Sequence, residues 1–163
     1  MRELQRLIWG ALAEMRTVLV ELRPAALTEM DLRDLLQQLA QAATARVPSL
    51  ETVVTVDGER RIPPELQVGL YRIAQEALNN IVKHADARHA EVRLVRRPDG
   101  VELSVSDDGR GFDPGSIPAG HLGIGIMRER VQVLGGLLSI DTEPGGGTCL
   151  RVACYREQSV PAE

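Results

Sequence analysis

The chain predicts an α+β fold, a two-layer sandwich with helices packed on a mixed, mainly antiparallel sheet. Helix-period apolar segments occupy the first half, and paired runs of apolar–polar alternation, joined by turn residues, follow in the second. Apolar residues make up 44% of the 163, yet only one Phe, one Trp and two Tyr are among them. One domain of ordinary size with an aliphatic core is expected.

Leu4, Ile8, Ala11, Met15, Val18 and Leu22 recur at alternating steps of four and three until Leu22-Arg23-Pro24 stops the pattern. That stripe fits either an amphipathic helix lying on its own domain or part of a dimerising bundle. A second helix is expected over 31–43, with Leu32, Leu35, Leu36 and Leu39 inward, and a short strand over 53–56 ends at Asp57-Gly58. Pro63-Pro64 opens a third helix, because proline is well tolerated in a first helical turn. Runs 90–95 and 101–105 alternate around Pro98-Asp99-Gly100, which reads as a hairpin turn. A glycine-rich loop over 109–125 precedes a helix to about Leu134, stopped by Gly135-Gly136. A strand over 138–141, a turn at 144–147 and a last strand to Tyr155 complete the order, with a frayed tail after Arg156.

The formal charge of −4 argues against a general polyanion binder, and the scarcity of aromatics argues against a base-stacking surface for single strands. No nucleic-acid partner is expected. Cys149 and Cys154 lie five apart in one run, on opposite faces if it is a strand, so an internal disulfide is not expected. No apolar stretch reaches the ~20 residues of a membrane span, and no signal-peptide pattern is present. A cytoplasmic location without membrane contact by these residues is the expectation, whether or not a parent protein is anchored.

Projected at 100° per residue, Leu66, Leu70, Ile73, Ala74, Ala77 and Ile81 form one apolar arc. Glu76, Asn80 and Lys83, the only lysine against eighteen arginines, fall along its edge, with Asn79 turned further towards solvent. Asp107-Asp108-Gly109-Arg110-Gly111 follows a strand, where an acidic side chain can accept from the amino group of adenine while Gly109 and Gly111 let backbone approach a planar base. Gly123-x-Gly125 opens a helix whose free amides suit phosphate oxygens. A Gly-x-x-x-x-Gly-Lys-Ser/Thr loop is missing, and Gly120 to Gly125 does not follow a strand as a dinucleotide fingerprint requires. Of the histidines, His84 projects to the apolar side near a helix end, where packing and phosphate contact are both open. His89 begins a strand as a surface residue, and His121 sits in the glycine loop. No Cys, His and Asp cluster has transition-metal spacing.

Taken together, the run 76–84, Asp107-x-Gly109-x-Gly111, Gly123-x-Gly125 and Gly147-Thr148 resemble the N, G1, G2 and Gly-Thr boxes of the Bergerat-type fold of the GHKL ATPase superfamily. Gyrase, heat-shock chaperones, sensor histidine kinases and mismatch-repair ATPases share it. Tyr71 to Asn80, Leu22-Arg23-Pro24 and Met127-Arg128-Glu129-Arg130 are similar to the NarL-associated class of sensor histidine kinases in particular. The resemblance implies ATP and Mg²⁺ as ligands, with Asn80 on the metal, Lys83 on phosphates, Asp107 on the adenine amino group and Thr148 supporting it directly or through water. His84, Gly109, Gly111, Gly123 and Gly125 belong to the same implied ATP site; residues 113–121, which combine Pro114, Gly115, Pro118 and Gly120 with few large apolar side chains, are expected to form a mobile lid that closes on the triphosphate. Glu76 is the implied catalytic carboxylate, either activating water or only orienting metal-bound water.

One departure matters. That class carries a phosphoacceptor histidine followed by an acidic residue, whereas His84, His89 and His121 precede alanine, alanine and leucine. The implied organisation is residues 1–25 as the second helix of a dimerisation hairpin, able to pair in a homodimer, 26–157 as the catalytic domain and 158–163 as a tail. The expected function is γ-phosphoryl transfer from ATP to a histidine outside these residues, for relay to a response regulator. An anti-sigma-type serine kinase and a non-enzymatic nucleotide-gated module are the alternatives.

Overall fold

The computed structural model describes residues 25–116 and 122–155; the heptad segment with Leu22-Arg23-Pro24, residues 117–121 of the expected lid with His121, and the 158–163 tail lie outside them. The elements run α1 (Ala26–Glu29), α2 (Leu32–Arg46), β1 (Glu51–Asp57), α3 (Pro64–Asn80), β2 (His89–Arg97), β3 (Gly100–Asp107), α4 (Leu122–Val133), β4 (Leu137–Thr142) and β5 (Thr148–Tyr155). Five strands form one sheet in the order β1-β2-β3-β5-β4. Because α3 carries the chain back between them, β1 and β2 are parallel; the other neighbours are antiparallel. This is the mixed, mainly antiparallel sheet of a two-layer α+β sandwich.

The helices lie on one face. Leu94, Leu103, Val152 and Leu138 form one cross-strand row there, and Val92, Val105, Leu150 and Ile140 the next. Leu35 and Leu36 of α2, Leu70 and Ile73 of α3, and Met127 and Val131 of α4 close over these rows, all 2% exposed or less. With few aromatics, these aliphatic side chains supply the driving force, about 1.5–3 kcal/mol for each one fully buried. Two residues further along the same face the rows turn polar: Asp107, Thr148 and Thr142 stand side by side across β3, β5 and β4. The apolar layer ends there.

Local polar contacts fix how the helices approach. Asp31 caps α2 by accepting the Arg33 N–H at 2.8 Å and also receives Arg96 Nη2 of β2 at 2.6 Å. Buried Gln67 donates to the Leu27 and Met30 carbonyls at 2.6 and 2.7 Å, holding α1 on α3. Cys154 is buried and Cys149 half-buried, both free thiols. Among the described residues no helix is long and apolar enough to cross a membrane.

Candidate functional site

A cavity of about 470 Å³ opens where α3, α4 and the polar end of the sheet meet. That volume suits a small-molecule ligand, for which clefts of ~300–1,000 Å³ are usual. Ala77, Val105, Ile124, Met127, Ile140 and Leu150 make its apolar wall, while Asn80, His84, Asp107, Arg110, Asp113 and Thr148 bring polar groups to it. An apolar slot with polar groups at its ends accepts a flat heterocycle carrying charged substituents.

The two neighbouring aspartates of the motif separate here. Asp108 accepts the Arg88 and His89 backbone N–H groups, each at 2.8 Å, and meets His89 Nδ1 at 2.7 Å. Those bonds, the His89 backbone first, hold its carboxyl down at about 2 and tie the end of β3 to the start of β2. Asp107 is half-buried at the cavity; its Oδ1 accepts the Gly109 N–H at 2.8 Å, and its Oδ2 takes no hydrogen bond from the described residues. Burial pushes its carboxyl above the ordinary range, the Asp108 charge adds to this, and the Gly109 N–H opposes it. A desolvated carboxylate with one spare oxygen is an acceptor waiting for a donor.

The glycines act differently from the sequence expectation. A Cβ on Gly109 would lie 2.3 Å from the Ala85 carbonyl oxygen, and one on Gly111, at φ +57°, 2.0 Å from that of Glu143. Both are required where backbone crosses backbone, so close approach of a base is not what fixes them. Arg110 N–H donates to Ala85 O at 2.8 Å, and the Arg110 carbonyl accepts the Gly145 N–H at 2.6 Å, locking the loop between the end of α3 and the β4–β5 turn. Gly111 lines the cavity while Gly109 does not. Around a Cβ at Gly125 nothing lies within 4 Å.

After Asn80 the chain widens into a π-turn, Ile81–Ala85, closed by Asp86 at φ 51°. Uniform 100° spacing fails there, because a π-turn advances less per residue. Asn80 and His84 reach the cavity wall, His84 as an exposed rim residue, whereas Lys83 points to solvent outside that wall. Asn79 is half-buried and accepts Arg46 Nη1 at 2.8 Å, so it braces α2 instead of facing solvent. Gly123, in the first turn of α4, lies against α3: an added Cβ would meet Glu76 Oε1 at 2.3 Å and Asn80 Nδ2 at 3.6 Å. The Glu76 carboxylate and the Asn80 amide therefore face one point beside a helix N-terminus. The Asn80 atom nearest that point is the amide nitrogen Nδ2, so the Glu76 carboxylate alone presents oxygen there, and an amide flip at Asn80 is needed for both to suit Mg²⁺, which takes one or two protein ligands beside phosphate and water.

Residues that sequence reasoning passed over also shape the site. Phe112, the only phenylalanine, lines the cavity, and its position inside a glycine-rich loop was the available signal. Thr142 stands behind Thr148, where only strand register reveals it.

Residues 65–158 match the family described as histidine kinase-, DNA gyrase B- and HSP90-like ATPase. The chain belongs to this family. It is 30% identical over 152 residues to the signal transduction histidine-protein kinase/phosphatase DegS of Brevibacillus brevis, covering 93% of this chain and 39% of DegS. To the nitrate/nitrite sensor protein NarQ of Escherichia coli K12 it is 36% identical over 131 residues, 80% of this chain and 22% of NarQ. The chain thus spans well under half of these relatives. In structure it is similar to the ATP-binding domain of PrrB from Mycobacterium tuberculosis, with a TM-score of 0.63 and 29% identity over 79% of this chain and 96% of that one. The relatives are sensor histidine kinases of the NarL-associated type, and this chain corresponds to their ATP-binding catalytic part.

Proposed function

We propose that the chain binds ATP with Mg²⁺ and, within a longer sensor kinase, presents the γ-phosphoryl to a histidine on a dimerisation hairpin whose second helix is residues 1–25. The observation that carries this is the cavity itself, lined by the acceptors Asp107 and Thr148 and by Asn80 and Gly123 of the first α4 turn, with the Glu76 carboxylate outside that wall against Gly123. Asp107 Oδ2 and Thr148 hold the adenine amino group between them. Asn80 offers an amide oxygen for the metal, and Glu76 orients metal-bound water without necessarily acting as a base. A Mg²⁺ ion held there would supply charge neutralisation on the phosphates. The free amides of the first α4 turn, with Gly123 and Gly125, face the phosphates. His84 stands at the rim, where it meets the outer phosphates, and Lys83, outside the wall, reaches them by swinging in from solvent.

The named relatives support the sensor-kinase reading, and the serine-kinase and interaction-module alternatives gain nothing from them. Phosphoryl transfer is mainly positioning plus charge stabilisation, so an ATP site without a placed acceptor performs little chemistry. With labelled ATP and Mg²⁺, the chain alone is expected to take up no phosphoryl group. Adding a dimerisation hairpin that bears the acceptor histidine allows slow, bimolecular transfer in trans, and a response regulator then removes the label. Acid-labile phosphate on His84, His89 or His121 of the isolated chain would overturn this reading.

A further inference from the structure

Thr142 lies outside the cavity wall, yet its hydroxyl joins three separate parts of the site. It donates to the Gly147 carbonyl at 2.9 Å, accepts the Phe112 N–H at 3.2 Å and meets Thr148 Oγ1 at 3.1 Å. A hydroxyl has one proton and two lone pairs. The Gly147 carbonyl can only accept, so it takes the Thr142 proton, and Phe112 N–H fills one lone pair. With both of those bonds in place, the remaining lone pair accepts the Thr148 proton, one of the two directions that the 3.1 Å contact allows. Thr148 Oγ1 is then left with no proton to give, and Thr148 lines the cavity as the cross-strand partner of Asp107, whose Oδ2 is also without a donor among the described residues.

We propose that Thr142 is a positioning residue for base selection: by consuming the Thr148 proton it makes this end of the cavity acceptor-only and favours a 6-aminopurine over a 6-oxopurine. This rests on the reading of the same cavity as an ATP site. An amino group brings two N–H donors to two acceptors, while a 6-oxo group brings lone pairs against lone pairs. The sign is the same through a bridging water. A water donating one proton to Thr148 has its other for ring nitrogen N1, which accepts in adenine but carries a proton in hypoxanthine.

The test is titration of the full chain with ATP and with inosine triphosphate, both with Mg²⁺, for the parent and for Thr142→Val, Thr142→Ala and Thr142→Ser. Freed of its partner, the Thr148 hydroxyl can rotate and donate, so Val and Ala are expected to reduce the ATP-over-inosine-triphosphate preference about 5- to 10-fold, one hydrogen bond's worth. Ser, which keeps the hydroxyl, retains the parent ratio. A merely structural role would weaken both nucleotides alike and leave that ratio unchanged in folded variants, which would overturn the proposal. As an independent measurement, Thr142→Val made in a Thr148→Val background is expected to leave the ratio where Thr148→Val alone puts it; a further fall there would also overturn it. A parent chain that binds no ATP would instead sink the nucleotide reading beneath it.

Discussion

Replacing Asp107 with Asn separates binding from stability. Asn keeps an oxygen in place of Oδ1, so the 2.8 Å bond from Gly109 N–H and the entry to the glycine loop survive. What changes is the atom at the position of Oδ2, which becomes an NH₂ donor facing the amino group it is proposed to hold. A hydrogen bond to a charged acceptor contributes about 1.5–3 kcal/mol, so ADP affinity is expected to fall roughly 10- to 100-fold.

Stability moves the other way. The Asp107 carboxyl sits above its ordinary range in the folded chain, chiefly through burial, so the ionised form costs stability once pH exceeds the unfolded value of about 3.9, and the full cost is felt above the folded value. An uncharged Asn avoids that cost, and the melting temperature at pH 7 is expected to be no lower than the parent's. The same raised pKa predicts that ADP affinity of the parent declines on acidification at a pH above the usual aspartate range, a dependence absent in Asp107→Asn. Calorimetric titration with ADP and Mg²⁺, paired with thermal melts followed by circular dichroism, reads both quantities. Unchanged affinity in a folded variant would remove Asp107 from the site, and a lower melting temperature would show that burial had been misjudged.

Three further perturbations test the remaining parts. Asn80→Ala is expected to weaken Mg²⁺-dependent ATP binding at least about 10-fold while hardly changing metal-free adenosine binding; equal losses measured by calorimetry would mean only that α3 had been disturbed. Gly111→Ala forces a left-handed residue against the Glu143 carbonyl and should cost at least about 1–2 kcal/mol of stability, whereas Gly125→Ala meets nothing within 4 Å and should leave the melting temperature equal or higher. Asp31→Ala strips the carboxylate from the Arg96 guanidinium, whose side chain is 7% exposed and keeps only the Arg60 carbonyl at 3.4 Å, and removes the α2 N-cap; with the carboxylate itself 52% exposed and screened, about 1–3 kcal/mol is expected by urea unfolding. Arg96 holds the Asp31 carboxyl below its ordinary range, so this contribution is present above pH of about 3.9 and is lost as pH falls through the folded value. The variant should therefore show a flatter acid limb.

What was legible in the sequence follows from what is local. The hairpin at Pro98-Asp99-Gly100, the helix opened by Pro64 and the stop at Gly135-Gly136 depend on turn and cap chemistry within a few residues, and each element formed at its expected place. α2 runs to Arg46, three residues past the expected end, because Ala43 continues the buried face and its carbonyl is taken by Val47 N–H. The motif order identified the family, since the backbone crossings that demand glycine sit at fixed places along the chain. Spacing alone could not foresee the π-turn that carries Lys83 away from the cavity wall, nor that Asn79 would find Arg46 across the helix layer. Nor could it foresee Thr142, since its partners Phe112, Gly147 and Thr148 meet only when β4 pairs with β5 and the loop folds back.

The sharpest separation between structure and function falls within one dipeptide. Asp108 accepts on both oxygens from Arg88 and His89, and its depressed pKa is what a carboxylate shows when the protein itself supplies the donors. Asp107 is desolvated by the same fold without a matching set of donors, and Thr148, its cross-strand partner, is proposed to give its proton to Thr142. Two adjacent acceptors without a donor are unfavourable in the empty protein. They become favourable only when a ligand brings N–H groups to both, so part of the binding free energy of such a ligand is relief of a cost already present in the fold. That is why the acidic residue with the poorer hydrogen bonding, and not its better-satisfied neighbour, is the one proposed to take the base.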